Sequence, residues 1–356
     1  MKNGNITLDG QRIGPENPPY VIAEMSGNHN GDINRALALI DAAKEAGANA
    51  VKLQTYTADT ITIDHDSSEF VIKGGLWNGR SLYELYKEAH TPWDWHEKMF
   101  DHARDIGISI FSSPFDATSV DFLAELDVPA YKIASFELVD LPLIRKTASK
   151  GRPLIMSTGM ANGVEIAEAV ATAKDAGAQE LVLLHCVSGY PAPISDVNLR
   201  TIPDMAQRFG VQVGLSDHTE GIAVPVAAVA LGATLIEKHV TLRRADGGVD
   251  SAFSLEPDEL KIMVTACREA WEALGSVNYE RKTSEMENVQ FRRSLYAVAD
   301  IKAGEIFTEQ NIRSIRPGFG LPPKNLPKLL GRQAAVDISR GTPLQTEFIQ
   351  PISSTN

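Results

Sequence analysis

Cysteine is nearly absent: Cys186 and Cys267 are the two in 356 residues, which leaves no disulfide framework and fits a reducing cytoplasm. Long apolar runs are missing too, and nothing approaches the about 20 consecutive residues that a membrane span needs. The opening MKNGNITLDG lacks the apolar stretch of a signal peptide, so a cytoplasmic location is expected. Positive charge is in deficit, with 34 Lys and Arg against 46 Asp and Glu for a net charge of -12. That balance disfavours nucleic acid and gives no reason to expect anionic lipid. Any anion bound here must meet a local positive pocket. What remains is ordinary for a soluble globular protein, with 43% hydrophobic and 22% charged residues.

From residue 20 to about 280, short apolar or β-branched runs alternate with stretches of helical period. There are eight runs: YVIAEM (20–25), AVKLQTY (50–56), SIFSSPF (109–115), AYKIAS (130–135), PLIMSTG (153–159), ELVLLHC (180–186), QVGLSDH (212–218) and LIEKHV (235–240). The segment INRALALIDAAKEAG (33–47) puts Ile33, Leu37 and Ile40 on one face and ends at Gly47. VEIAEAVATAKDAG (164–177) repeats the design. The pattern predicts an α/β fold, a (β/α)8 TIM barrel, with a doubly wound sheet of fewer strands as the alternative. A long insertion follows the second run and carries Trp77, Trp93 and Trp95. Trp93 and Trp95 read as packing over the barrel wall, and residues 73–79 as a lid or substrate loop.

Past about residue 283 the alternation stops. The expected organisation is a barrel with an N-terminal hairpin over 1–283, a linker over 284–293 and a small β-rich module over 294–356. The module contains a repeat, DIKAGEIFTEQNI (300–312) and DISRGTPLQTEFI (337–349), which predicts internal pseudo-symmetry.

LIEKHV begins apolar and ends in three ionisable residues, Glu237, Lys238 and His239. Burying such groups costs several kcal/mol unless they are paired or ligate something. Barrel sites sit at the C-terminal ends of the strands, and here those ends are polar throughout. They supply Glu24, then Lys52 and Gln54, Ser112 and Ser113, Lys132 and Ser135 with Glu137 following, Ser157, His185, Ser216 and His218, and Glu237 with His239. Alternation puts Ser216 with His218, and Glu237 with His239, on shared faces. The two histidines on consecutive strands suit a divalent metal or hydrogen bonding within the rim, and the pairing favours the metal. Glu237 is expected to orient a water or ligand beside that metal, while Lys238 points away. His185 reads as structural. Lys52 and Lys132, with Ser135, Ser157 and Ser216, outline a phosphate or carboxylate site; a Schiff-base lysine is the other chemistry they permit. Asn28 and His29 fit equally an Asx-rich turn or a reach into the barrel mouth.

Taken in order, AEMSGNHNGD, VKLQTY, SSPFD, YKIASFE, STGM, CVSGYP, GLSDHT, IEKH and SAFSLEP, then RSLYAVADIKAGE and RPGFG, resemble the sialic acid synthase family over nearly the whole chain. KGGLW, LYELY, TPWDWH and DSAFS are similar to its pseudaminic acid branch. Ser188 stands where the N-acetylneuraminate branch usually has Asn, and Val249 where pseudaminic relatives commonly have Pro. The resemblance implies a TIM barrel with a C-terminal antifreeze-like (SAF) domain. It also implies condensation of phosphoenolpyruvate with a 2,4-diacetamido-2,4,6-trideoxy-L-altrose, with Mn or Mg held by His218 and His239. Phosphoenolpyruvate would meet Lys52, Lys132, Ser135, Glu137, Ser157 and Ser216, with Glu24 near the reacting centre. Gln54, Ser188, Tyr190 and Asp250 would face the sugar, joined by Arg316 from the partner in a domain-swapped homodimer. The alternatives are an N-acetylneuraminate or legionaminate synthase, a Schiff-base aldolase and a non-catalytic carbohydrate-binding protein.

Overall fold

The computed structural model describes residues 6–351. Eight parallel strands close into a barrel: β1 (Tyr20–Glu24), β2 (Ala50–Thr55), β3 (Ser109–Pro114), β4 (Tyr131–Ile133), β5 (Leu154–Ser157), β6 (Leu181–Cys186), β7 (Gln212–Asp217) and β8 (Leu235–His239), with β8 paired to β1. The barrel is thus the fold present, and the doubly wound alternative is set aside. β4 stops at Ile133, so Ser135 and Glu137 lie on a 3-10 turn (Ser135–Glu137) rather than on the strand expected to carry Ser135.

Alternation divides each strand between two environments. On β8, Ile236 packs outward with the helices, while Leu235 joins the inner cluster of Tyr20, Ile22, Ala50, Phe111, Ala130, Ile155, Val182 and Leu184. Those inner residues occupy the strand starts, so the polar residues that follow in the same register are lifted to the C-terminal mouth. The N-terminal hairpin, Ile6–Leu8 against Gln11–Ile13, adds Ile6, Leu8 and Ile13 to the inner cluster. Its turn places Asp9 and Gly10 at φ 48° and 77°, the left-handed pair that a two-residue hairpin loop requires. Gly214 on β7 permits the close strand approach, because a Cβ there would collide with the Leu235 carbonyl.

Outside the barrel, the helix Ile33–Glu45 is capped by Asp32, whose side chain accepts from the Asn34 amide at 2.8 Å. Its buried face is Ala36, Leu39, Ile40 and Ala43, rotated from the expected Ile33–Leu37–Ile40 face because alanines allow the closest approach to the strands. In the insertion, Trp93 stacks on Phe122 with ring centres 4.7 Å apart, and Trp95 packs on the core. No helix among the described residues is long and apolar enough to cross a membrane.

A second compact unit starts at Ser276, inside the span of 1–283 expected for the barrel and ahead of the module start expected at 294. It has its own core, formed by Leu295, Ala297, Ile301, Phe307, Ile312, Leu329, Ala334, Ile338 and Leu344. The repeat is realised as reciprocal pairing: the Ile301 amide donates to the Ile338 carbonyl and the Ile338 amide to the Ile301 carbonyl, both at 2.8 Å. Asp300 likewise accepts from the Arg340 amide at 2.7 Å, and Asp337 from the Ala303 amide at 2.8 Å.

Candidate active site

A cavity of about 450 Å³ opens at the C-terminal mouth of the barrel. Its lining includes Glu24, Lys52, Gln54, Lys132, Ser135, Glu137, Ser157, Tyr190, Ser216, His218, Glu237, His239 and Asp250. Of the residues expected to meet the metal or a substrate, Ser188 and Arg316 are not in that lining. Ser188 sits beside it, next to Ser135 across Gly159, where a Cβ would crowd both hydroxyls. Arg316 belongs to the second unit, where it is exposed just after the strand Ile312–Ile315.

The floor is a buried network of two lysines and two glutamates. Lys52 Nζ lies 2.6 Å from Glu24 Oε2 and 3.8 Å from Glu237 Oε1. Lys132 Nζ donates to both Glu237 oxygens, at 2.9 and 3.0 Å. Ser216 Oγ donates to Glu237 at 3.0 Å, and Gln54 Nε2 to Glu24 at 2.9 Å. This corrects two expectations. The lysines do not wait for an anion to offset their burial, since carboxylates already pair with them. Glu237 does not serve the histidines; although it shares their inward face, its oxygens are taken by Lys132, Lys52 and Ser216.

The two carboxylates are driven apart. Burial pushes Glu24 up by more than Lys52 pulls it down, and the charge of Glu237 adds to the rise. Burial acts on Glu237 as well, but Lys132 and Lys52 together hold it well below the usual range. Glu24 is therefore the carboxylate that accepts a proton and Glu237 the one that stays ionised. Burial depresses Lys132; in Lys52 the same burial is overcome by Glu237 and Glu24, and its ammonium is held up. Above the floor, burial pushes Glu137 up to about 7, with Asp140 adding to the effect. Its Oε2 and Ser157 Oγ have no hydrogen-bond partner.

His218 and His239 face each other across the same mouth, ring centres 5.2 Å apart. His218 Nδ1 donates to the Val187 carbonyl at 3.0 Å, which fixes the tautomer and turns the Nε2 lone pair outward. Burial would lower His218, but Cys186, whose sulfur is 3.8 Å from Nδ1, and Val187 hold it up. Burial, with the neighbouring His218 and the lysines around it adding, keeps His239 far below its ordinary value, hence neutral. Its Nδ1 is buried without a hydrogen-bond partner, 3.8 Å from Asp250 Oδ2. An orphaned neutral imidazole nitrogen opposite a second imidazole fits a divalent metal bound by two protein nitrogens, with substrate or water oxygens for the rest. Among the described residues no group of three or more His, Cys, Asp or Glu is arranged to hold an ion.

Other expectations resolve into structure. Lys238 points outward to Asp217 Oδ2 at 2.6 Å, and His185 bonds the Val197 carbonyl. Asn28 donates to the Val240 carbonyl at 2.8 Å and to Ser254 Oγ at 2.9 Å. His29 accepts from the Gly31 amide at 3.1 Å. Both are buried and neither lines the cavity, which settles them as turn residues. Ser113, one of the strand-end residues, has its Oγ 3.3 Å from Lys52 Nζ. Two contributors escaped the sequence reading: Ser26 donates to Asp250, and Cys186 backs His218. Alternation was the available signal for Cys186, two residues past the inward Leu184; nothing in the sequence links Ser26 to Asp250.

Comparison with known proteins gives this geometry a family. The NeuB family model matches residues 39–279. The chain belongs to the NeuB family. A SAF domain matches residues 292–350. Among NeuB relatives, the pseudaminic acid synthase of Campylobacter jejuni subsp. jejuni is 48% identical over 345 residues, spanning 97% of this chain and 98% of its own. That of Helicobacter pylori is 42% identical over 334 residues, 94% of this chain and 98% of its own. The solved N-acetylneuraminic acid (sialic acid) synthetase from Leptospira borgpetersenii serovar Hardjo-bovis, in complex with citrate, is 35% identical. It superposes with a TM-score of 0.72 over 80% of this chain and 95% of its own.

Proposed function

We propose that this NeuB-family chain is a pseudaminic acid synthase, joining phosphoenolpyruvate, 2,4-diacetamido-2,4,6-trideoxy-L-altrose and water into pseudaminate and phosphate. The observation that carries the reading is the convergence at one barrel mouth of a two-histidine pair with a floor of two lysines, two glutamates and unpartnered Ser157. The near full-length identity to pseudaminic acid synthases chooses the sugar.

A divalent metal, Mn or Mg, on His218 and His239 would supply Lewis-acid polarisation of the open-chain aldehyde. The protein's own residues do the rest. Lys52, Lys132, Ser135, Ser157 and Ser216 hold phosphoenolpyruvate so that its C3 meets the aldehyde carbon. The C–C bond forms from the enol π electrons while the aldehyde C=O π pair moves onto its oxygen, which ends as a hydroxyl by taking up a proton, and C2 becomes cationic. Water adds there; Glu24, the carboxylate with raised proton affinity, takes its proton. The tetrahedral C2 then expels phosphate by C–O cleavage, with Lys52 and Lys132 facing the charge that develops. Glu137 borders the reacting centre, while Gln54, Tyr190, Asp250 and the neighbouring Ser188 face the sugar. The proposal includes a cytoplasmic location, and a domain-swapped homodimer in which Arg316 of the partner subunit reaches an acetamido group.

The test is phosphate release and formation of a nonulosonic acid from purified protein, metal, phosphoenolpyruvate and this sugar. A Schiff-base aldolase would instead be trapped by borohydride at Lys52 or Lys132 and would ignore chelators. At Lys52, whose ammonium Glu237 and Glu24 hold up against burial, that chemistry is disfavoured.

A further inference from the structure

The cavity has two unlike ends. One holds the histidines and the lysine–glutamate floor; the other is a wall built by the insertion between β2 and β3. The helix Leu82–Ala89 is capped by Ser81, whose Oγ accepts from the Glu84 amide at 3.1 Å. It turns Leu82, Leu85, Tyr86 and Ala89 to the cavity, the one-face spacing of a helix. Ile72 extends the wall from a loop closed by two hydrogen bonds, Ile72 amide to Arg80 carbonyl at 2.9 Å and Gly79 amide to Ile72 carbonyl at 2.8 Å. Trp77, on the same loop, spends its indole N–H on the Val249 carbonyl at 2.8 Å. Its ring is 5.5 Å from that of Tyr190, which in turn lies 4.5 Å from the His218 ring. The wall is therefore fixed relative to the histidines, and apart from the Tyr86 hydroxyl its side chains leave a ligand no hydrogen-bonding group, Leu82, Leu85 and Ile72 being wholly apolar.

An ordinary sugar carries a hydroxyl on every carbon away from its carbonyl, and one of them would lie unpaired against this surface. We infer that Leu82, Leu85 and Ile72 seat the C6 methyl of a 6-deoxy sugar and make the enzyme select it over the 6-hydroxylated counterpart. The inference rests on the proposed function, which places the aldehyde at the histidines and so the far end of the sugar at the wall. The wall is then a specificity device separate from the chemistry: it discriminates at C6 and leaves phosphoenolpyruvate untouched.

The experiment compares kcat/KM for the diacetamido-trideoxy-L-altrose and for the same sugar bearing a C6 hydroxyl, in the wild type and in Leu82→Gln, Ile72→Thr and Leu82→Met. The wild type is expected to prefer the deoxy sugar by roughly 10–100-fold. Leu82→Gln and Ile72→Thr should each cut that ratio by about fivefold or more without raising the KM for phosphoenolpyruvate, and the apolar Leu82→Met should retain it. Equal use of both sugars by the wild type overturns the inference while the proposed function stands. An unchanged ratio in both polar variants does the same. Absence of phosphate release with either sugar overturns the proposed function, and this inference with it. Because the variants lie on separate segments, helix and loop, a folding failure in one leaves the other, and the wild-type ratio, to decide.

Discussion

His239 Nδ1 is buried and unpartnered, so replacing the residue removes a donor that nothing else in the mouth supplies. His218→Ala and His239→Ala should each lower bound metal, read by elemental analysis, and reduce turnover by at least about 10²-fold. Full metal occupancy in either variant would remove that histidine as a ligand. Glu137 gives a pH prediction with a definite sign. Its folded-state value is about 7 against an ordinary 4.5, so protonated Glu137 is favoured by folding and ionised Glu137 is not. Stability from this group is complete below the ordinary value and is lost as pH rises through 7. Glu137→Gln should therefore gain on the wild type between pH 5 and 8, by at most about 3 kcal/mol. A difference independent of pH in thermal unfolding would contradict it. Which residues face inward was legible, because alternation along a strand is geometry. Their partners were not: Glu237 shares a face with His239, yet the lysines of β2 and β4 claim it, since two opposite charges at 2.9 Å outweigh mere facing.

The eight strands were legible because each is a short apolar run between helical stretches, and closure followed from their number. The exact end of β4 was not, since Ala134 and Ser135 suit a strand or a turn equally and tertiary position decides. In the insertion, residues 73–79 were legible as a lid or substrate loop, and Trp77 of that stretch lines the cavity; the wall made by Leu82–Ala89 was not, because its apolar face meets a cavity rather than a core. Elements far from the mouth should affect stability alone. Leu8 of the N-terminal hairpin is fully buried in the inner cluster, so Leu8→Ala should cost about 2–5 kcal/mol in denaturant unfolding. Its KM for either substrate should stay at the wild-type value; a raised KM would mean that the hairpin bears on the mouth.

The two units each have their own core, and the sequence marked the second by the end of β/α alternation and by its repeat. The reciprocal Ile301–Ile338 pairing gives that repeat a physical basis. In the proposed swapped homodimer each site needs His239 from one chain and Arg316 of the partner subunit. Mixed and re-equilibrated His239→Ala and Arg316→Ala proteins should then regain about a quarter of wild-type activity, because half the dimers carry one intact site. No recovery beyond the two variants measured separately would contradict the swap. The measurement closest to the central claim is a sugar panel with metal and phosphoenolpyruvate, following phosphate and nonulosonic acid together. The diacetamido-trideoxy-L-altrose should give both products in equal amounts and the highest kcat/KM. Turnover of N-acetylmannosamine or the legionaminate precursor in its place would contradict the account.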